Sequence, residues 1–203
     1  MQLLHSPASP FVRKARVTAI EAGIADRIEL VDVHTSAVAT HQAVAAANPV
    51  GKIPALIRED GPTLYDSRVI CRYLDWLAGS RLYPESRIWE VLTLESLADG
   101  MMDAAVLITY ERRFRDEGKR HEGWMQGQRD RISRSLDALA DRWMSHLGGP
   151  LTVGQIAVAC ALAYLDFRHE DLDWRAGHGA LSDWYEKFAS RESMIATRPP
   201  SGA

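Results

Sequence analysis

Three short segments carry groups suited to holding a small charged molecule: Ser9-Pro10-Phe11, Lys52-Ile53-Pro54 and Asp66-Ser67. Pro is favoured at the first position of a helix, where its missing N–H is no loss, so Ser9 is placed as an N-cap at a positive helix end. Pro54 opens a strand at the mouth of a sheet, a place that suits a cis bond, and leaves the Ile53 backbone free to pair. Asp66 and Ser67 open another helix with a carboxylate, a hydroxyl and unpaired backbone N–H groups. Together they fit an anionic, peptide-like ligand. Ile53 would pair with its backbone, Ser67 and the helix end would take one carboxylate, Asp66 an ammonium, and Lys52 a second carboxylate. Taken singly, each has a plainer role: a solvated lysine, a turn proline, an ordinary cap. Their order along the chain is much more specific than any member.

The elements that must position these groups are legible from periodicity and caps. After the strand-like "QLLH", residues 10–22 place Val12, Ala15, Ala19 and Ala22 on one helical stripe, with Gly23 as terminator. "RIELVDV" (27–33) reads as a second strand and the Ala-rich 38–47 as a short helix closed by Asn48-Pro49. "IPALI" and "TLYD" flank Asp60-Gly61 and predict an antiparallel hairpin. A helix follows from Asp66 to Gly79, with positions 69, 70, 73, 74 and 77 apolar on one side. The order is βαβαββα.

Strand signals stop after the loop 79–87. Amphipathic stretches at 88–117, 122–147, 154–169 and 179–190 predict an all-helical second domain, so the expected division is 1–78 and 86–203. "LTVGQI" opens the third stretch with a capping box, Thr152 with Gln155, and a staple of Leu151 on Ile156.

Composition narrows the function classes. The 203 residues carry a formal net charge of −3, with charges interspersed, which gives no basic face for nucleic acid. The longest apolar run, Ile156–Leu165, is far shorter than the roughly 20 residues of a membrane span. No basic and apolar leader is readable, so the expectation is a cytoplasmic protein. Cys71 and Cys160 lie inside apolar helical patterns and read as small core residues. No spacing supports a metal site.

Ser9-Pro10-Phe11, "NPVGKIPAL", "YDSRVICRYL" and "TVGQIAVACALAYLDF", in this order, resemble cytosolic-type glutathione transferases over essentially the whole chain. "SPFVRK", "ESLADGMMDA" and "ASRES" resemble its bacterial YibF-like type. The resemblance implies a thioredoxin-like βαβαββα domain followed by an all-helical C-terminal domain. It implies that Ser9 stabilises the thiolate of glutathione, which is then added to a small electrophile. Ile53, before a cis-Pro54, would pair with the cysteinyl backbone, Asp66 and Ser67 would hold the γ-glutamyl end, and Lys52 would approach the glycyl carboxylate. Where the family's helix-capping box usually ends in Asp, Gln155 stands here and can make the same reciprocal bond.

The resemblance also implies a homodimer, with glutathione as co-substrate. The second substrate would lie over the sheet against the helical domain, among Phe11, Met101, Met102, Val106 and Tyr110. Core packing is an equal reading for those residues. A non-catalytic scaffold, and isomerase or peroxidase chemistry with glutathione, stay open as alternatives.

Overall fold

Strand β1 (Gln2–His5) is the middle of a three-stranded sheet in a computed structural model that describes residues 1–200. It runs parallel to β2 (Glu29–Asp32), with Leu3 opposite Leu30, and antiparallel to β3 (Ala55–Ile57), with Leu4 opposite Ala55. The crossover from β1 to β2 is helix α1 (Pro10–Glu21), and α2 (Gln42–Ala47) links β2 to β3. Leu4, Val33, Val44 and Ala55 form the core on the α2 side of the sheet.

The predicted hairpin is reduced to a single bridge. Leu56 and Leu64 exchange both backbone hydrogen bonds at 2.9 Å, and no fourth strand extends from them. The reason is local. Pro62 lacks an N–H, and the Arg58 side chain closes the loop instead, donating from Nε to the Pro62 carbonyl at 3.0 Å and lying 4.9 Å from the Tyr73 ring.

Helix α3 (Ser67–Ala78) then ends at Gly79, whose φ of 61° is the left-handed cap that glycine supplies without a side-chain clash. Its buried stripe is Ser67, Ile70, Cys71 and Leu74, while Val69 faces outward with Trp76.

The described residues fold into two compact units: Met1–Ser86 together with 191–200, and Arg87–Ser190. The C-terminal segment, which helical periodicity alone groups with the second domain, therefore packs with the first unit. Two charges of α1, one buried and one half-buried, account for this. Arg13 donates to the Met194 carbonyl at 2.9 Å and to Thr197 Oγ1 at 3.3 Å, so it caps the short helix α9 (Glu192–Ala196). Glu21 accepts two bonds from Arg191, at 2.8 and 2.7 Å, and one from Ser193.

Hydrogen bonding from Arg191 outweighs burial and holds the Glu21 carboxyl below its ordinary pKa. A depressed carboxyl contributes stability that is complete above its unfolded value, about 4.3, and is lost as pH falls through the folded one. Docking of the 191–197 segment is therefore expected to weaken below about pH 4. Glu21→Gln should produce at neutral pH the same faster amide exchange over residues 192–196, and unchanged exchange there would refute the role.

The second unit is helical. Helix α4 (Ile88–Phe114) packs chiefly on α7 (Val153–Arg168) and on α5 (Glu122–Ala138). The stretch predicted as one helix over 122–147 is interrupted by a π turn at Leu139–Trp143 before the short α6 (Met144–Leu147). Helix α8 (Gly179–Ala189) closes the unit.

The capping box at the start of α7 is present: Gln155 Oε1 accepts from the Thr152 N–H at 2.8 Å. Being an amide, Gln155 also donates to the Pro150 carbonyl at 2.8 Å. A Cβ at Gly154 would come within 2.9 Å of Leu94 Cδ2 and 3.2 Å of its Cβ, so this glycine lets α7 approach α4. Gly154→Ala is expected to lower stability by about 1–2 kcal/mol through overpacking, measurable by denaturant titration.

Candidate functional site

The register of the sheet brings the three candidate segments to one end. Leu4 lies opposite Ala55 and Leu56 opposite Leu64, so Ile53–Pro54 precedes β3 at the end where β1 stops, and the chain runs from Leu64 toward Asp66 in that same direction. The turn that carries Ser9 leaves from the end of β1. All three candidate segments lie in the first unit.

Ser9 caps α1 with extended backbone, φ −82° and ψ 122°, and its Oγ accepts the Val12 N–H at 3.3 Å. The Ser9 N–H donates to the Ser6 carbonyl at 3.1 Å, which fixes the turn. Since the backbone uses Oγ only as an acceptor, the hydroxyl proton is available to a ligand. Ser9 is half-buried, and no acidic residue stands in the first turn of α1 to offset the positive helix end.

The Ile53–Pro54 peptide is cis, as is Tyr65–Asp66. Pro54 is buried, Ile53 half-buried and Lys52 exposed. One residue that sequence reasoning uses only as a helix stop organises this loop. Asn48, 3% exposed, donates from Nδ2 to the Lys52 carbonyl at 2.8 Å and accepts the Val50 N–H on Oδ1 at 3.0 Å, while its own carbonyl accepts from Gly51 at 2.8 Å. The signal for it is Asn-Pro-Val-Gly, an Asx-type turn sequence. Gly51 sits at φ 72°, which a side chain would strain.

Asp66 is the N-cap of α3. Its Oδ1 accepts the Arg68 N–H at 3.0 Å, and its Oδ2 lies 2.8 Å from Arg68 Nη2 and 3.3 Å from Nε. Partial burial works to raise its pKa, but the bonds from Arg68 and the charges of Arg68 and Lys14 outweigh it, so the carboxylate is held below its ordinary range. It is ionised at neutral pH and keeps a lone pair on Oδ1 for a further donor. Lys14, on α1, is fully buried, an unusual site for an ammonium. Ser67 is 2% exposed, so its place at the helix start counts through backbone N–H as much as through its hydroxyl.

The residues expected around a second substrate differ in their surroundings. Phe11 is half-buried in the first unit. Met101 and Met102, each 1% exposed, belong to the core of the second. Val106 and Tyr110, one turn apart on α4, are half-buried and keep accessible surface. His41 proves to be the cap of α2, with Nδ1 accepting the Ala43 N–H at 3.2 Å. His5 is buried with Nε2 3.1 Å from Asp32; burial lowers its pKa, which Asp32 works to raise and Arg16 to lower further. Among the described residues, no group of three or more His, Cys, Asp or Glu is placed to hold a metal ion, and no helix is long and apolar enough to cross a membrane.

Comparison with known proteins fits this geometry. Family models described as the glutathione S-transferase N-terminal and C-terminal domains match residues 8–77 and 122–187. The chain is 33% identical to the uncharacterized GST-like protein YibF of Escherichia coli K12, over 98% of this chain and 99% of that one. A glutathione transferase family member from Pseudomonas fluorescens Pf-5 with bound glutathione is 48% identical, with a TM-score of 0.95 over 98% of both chains. A second structure from that strain, with bound S-(propanoic acid)-glutathione, gives 0.91 at 47% identity over 98% of this chain and 100% of that one. A glutathione S-transferase from Methylobacillus flagellatus KT with glutathione bound is 36% identical, with a TM-score of 0.82 over 98% of this chain and 99% of that one.

Proposed function

This chain belongs to the glutathione transferase superfamily, in its YibF-like type, and from that premise we propose that it binds reduced glutathione and adds its thiolate to a small electrophile. The observation that carries the reading is the convergence of Ser9, Ile53-Pro54 and Asp66-Ser67 at one end of the sheet. The glutathione held by the Pseudomonas fluorescens and Methylobacillus flagellatus relatives supports it.

In this reading the Ile53 backbone pairs with the cysteinyl part of glutathione, and Lys52 meets the glycyl carboxylate. The γ-glutamyl carboxylate takes the N-terminus of α3 and Ser67, while its ammonium takes Asp66. A thiol has a reference pKa of about 8.5, so only a few per cent is thiolate at neutral pH. Ser9 removes no proton; its hydroxyl donates to the thiolate. Hydrogen bonds to charged groups are worth about 1.5–3 kcal/mol, on the order of one to two pKa units, and the start of α1 adds about 0.3–1 kcal/mol. Together these make thiolate a large fraction of bound ligand. The thiol proton leaves to solvent; the sulfur then forms a bond to the electrophilic carbon as that carbon's π bond opens, and the displaced electron pair takes up a proton from solvent. Val106 and Tyr110, which keep accessible surface, are the residues we assign to the electrophile. The working form is proposed to be a cytoplasmic homodimer.

Calorimetric titration with reduced glutathione at neutral pH tests the reading. Saturable heat in the sub-millimolar range is the expected result. Absence of heat at several temperatures would leave the fold in use as a scaffold.

A further inference from the structure

Helices α4 and α7 run parallel, because contacts advance together along both. Leu94 meets Gly154, Thr109 Oγ1 accepts from the Tyr164 hydroxyl at 3.2 Å, and Arg112 pairs at 2.7 Å with Asp171, just past α7. One turn beyond the Thr109–Tyr164 contact come Arg113 on α4 and Arg168 on α7, so these two cations reach the same end of the helix pair. Burial raises the pKa of the Tyr164 phenol above its ordinary value, and both arginine charges work to lower it.

Three neighbouring carboxylates are already paired. Glu111 is held by Arg115 at 2.8 Å, Asp166 by Arg175 at 2.5 Å, and Asp171 by Arg112. Arg113 and Arg168 have no carboxylate partner among the described residues; they lie on aromatic rings instead. The Arg168 Cζ is 3.9 Å from the Phe167 ring centroid and the Arg113 Cζ 5.7 Å from that of Phe114. Tyr110 meets Phe114 edge-on at 5.3 Å, and Tyr164 meets Phe167 likewise at 6.4 Å. Three rings that keep surface, Tyr110, Phe114 and Phe167, and two guanidiniums thus share one end of the helical unit, while Tyr164 is 6% exposed.

We propose that Arg113 and Arg168, with Tyr110, Phe114 and Phe167, form a carboxylate-binding subsite for a small aromatic or unsaturated acid. Resting on the transferase reading, this makes the electrophile an anion. A guanidinium presents a planar fork that a carboxylate fits in two-point fashion, and the rings take the apolar body of the same molecule. The Tyr110 assigned above to the electrophile stands within this set.

The test uses the full chain and two unreactive probes that differ only in charge, 3-phenylpropanoate and 3-phenylpropanamide, with binding followed by calorimetry. The acid should bind at least tenfold more tightly than the amide at low salt, with the ratio shrinking as salt is raised. Arg113→Gln and Arg168→Gln should each cut acid binding three- to tenfold, and Arg134→Gln, an exposed charge change on α5, should not. Equal binding of acid and amide, or an equal loss in Arg134→Gln, would overturn the subsite. Glutathione is titrated into the same preparation. Glutathione heat without preference for the acid removes the subsite and leaves the transferase reading. Preference for the acid without glutathione heat keeps the subsite and removes that reading.

Discussion

Ser9→Ala is expected to raise the pKa of the bound glutathione thiol by about one to two units and to lower turnover of a model electrophile at neutral pH about ten- to a hundredfold. The sign of the pH dependence follows from the mechanism. A higher thiol pKa moves the whole rate profile to higher pH, so the deficit is largest near pH 6–7 and closes above about pH 9, where the thiol ionises without help. Ser9 is also the cap of α1, and losing a cap costs about 0.5–2 kcal/mol of stability by itself. Ser9→Gly separates the two roles, because glycine at an N-cap costs only a few tenths of a kcal/mol yet supplies no hydroxyl. If the hydroxyl serves the thiolate, the Gly and Ala variants are equally slow although the Gly variant is the more stable. Recovery of turnover in the Gly variant, or an unshifted thiol pKa in the Ala variant, would reduce Ser9 to a cap.

What the sequence made legible, and what it did not, divides by the range of the forces. Ser9-Pro10, Asp66 with Gly79, and Thr152 with Gln155 are local devices whose partners lie within a turn, and the structure has each cap in place. The candidate segments could be ordered along the chain because strand and helix periods alternate visibly there. Long-range choices left no such trace. Nothing near Arg13 or Glu21 announces that Met194, Thr197, Arg191 and Ser193 are their partners, some 170 to 184 residues away. The second strand of the hairpin failed because the Asp60-Gly61 signal competes with Pro62 beside it, and the missing donor won. On α4, an apolar residue is compatible with a pocket or a core by periodicity alone. Packing on α5 and α7 decided that Met101 and Met102 belong to the core while Val106 and Tyr110 keep accessible surface.

Asn48 shows how such a gap affects the site, and Asn48→Ala is the second large effect expected. The change deletes the donor to the Lys52 carbonyl and the acceptor for the Val50 N–H in a position only 3% exposed. A buried partner left unsatisfied costs about 1–3 kcal/mol, so the loop 48–53 should loosen. That loop carries Lys52 and the Ile53 backbone, both assigned to the ligand. The same 1–3 kcal/mol, taken from the bound conformation, corresponds to an about 5- to 150-fold weaker glutathione affinity. Chemistry should suffer much less, since Ser9 and the start of α1 are untouched; at saturating glutathione, kcat should stay within about threefold of wild type. A purely structural role for Asn48 would lower the melting temperature and leave the affinity of the folded fraction intact, and that result would refute the assignment. Asn48→Asp sharpens the distinction. It retains an acceptor for Val50 but sets a carboxylate against the Lys52 carbonyl, so it should keep the turn and still lose affinity if holding the Lys52 peptide is what the ligand requires.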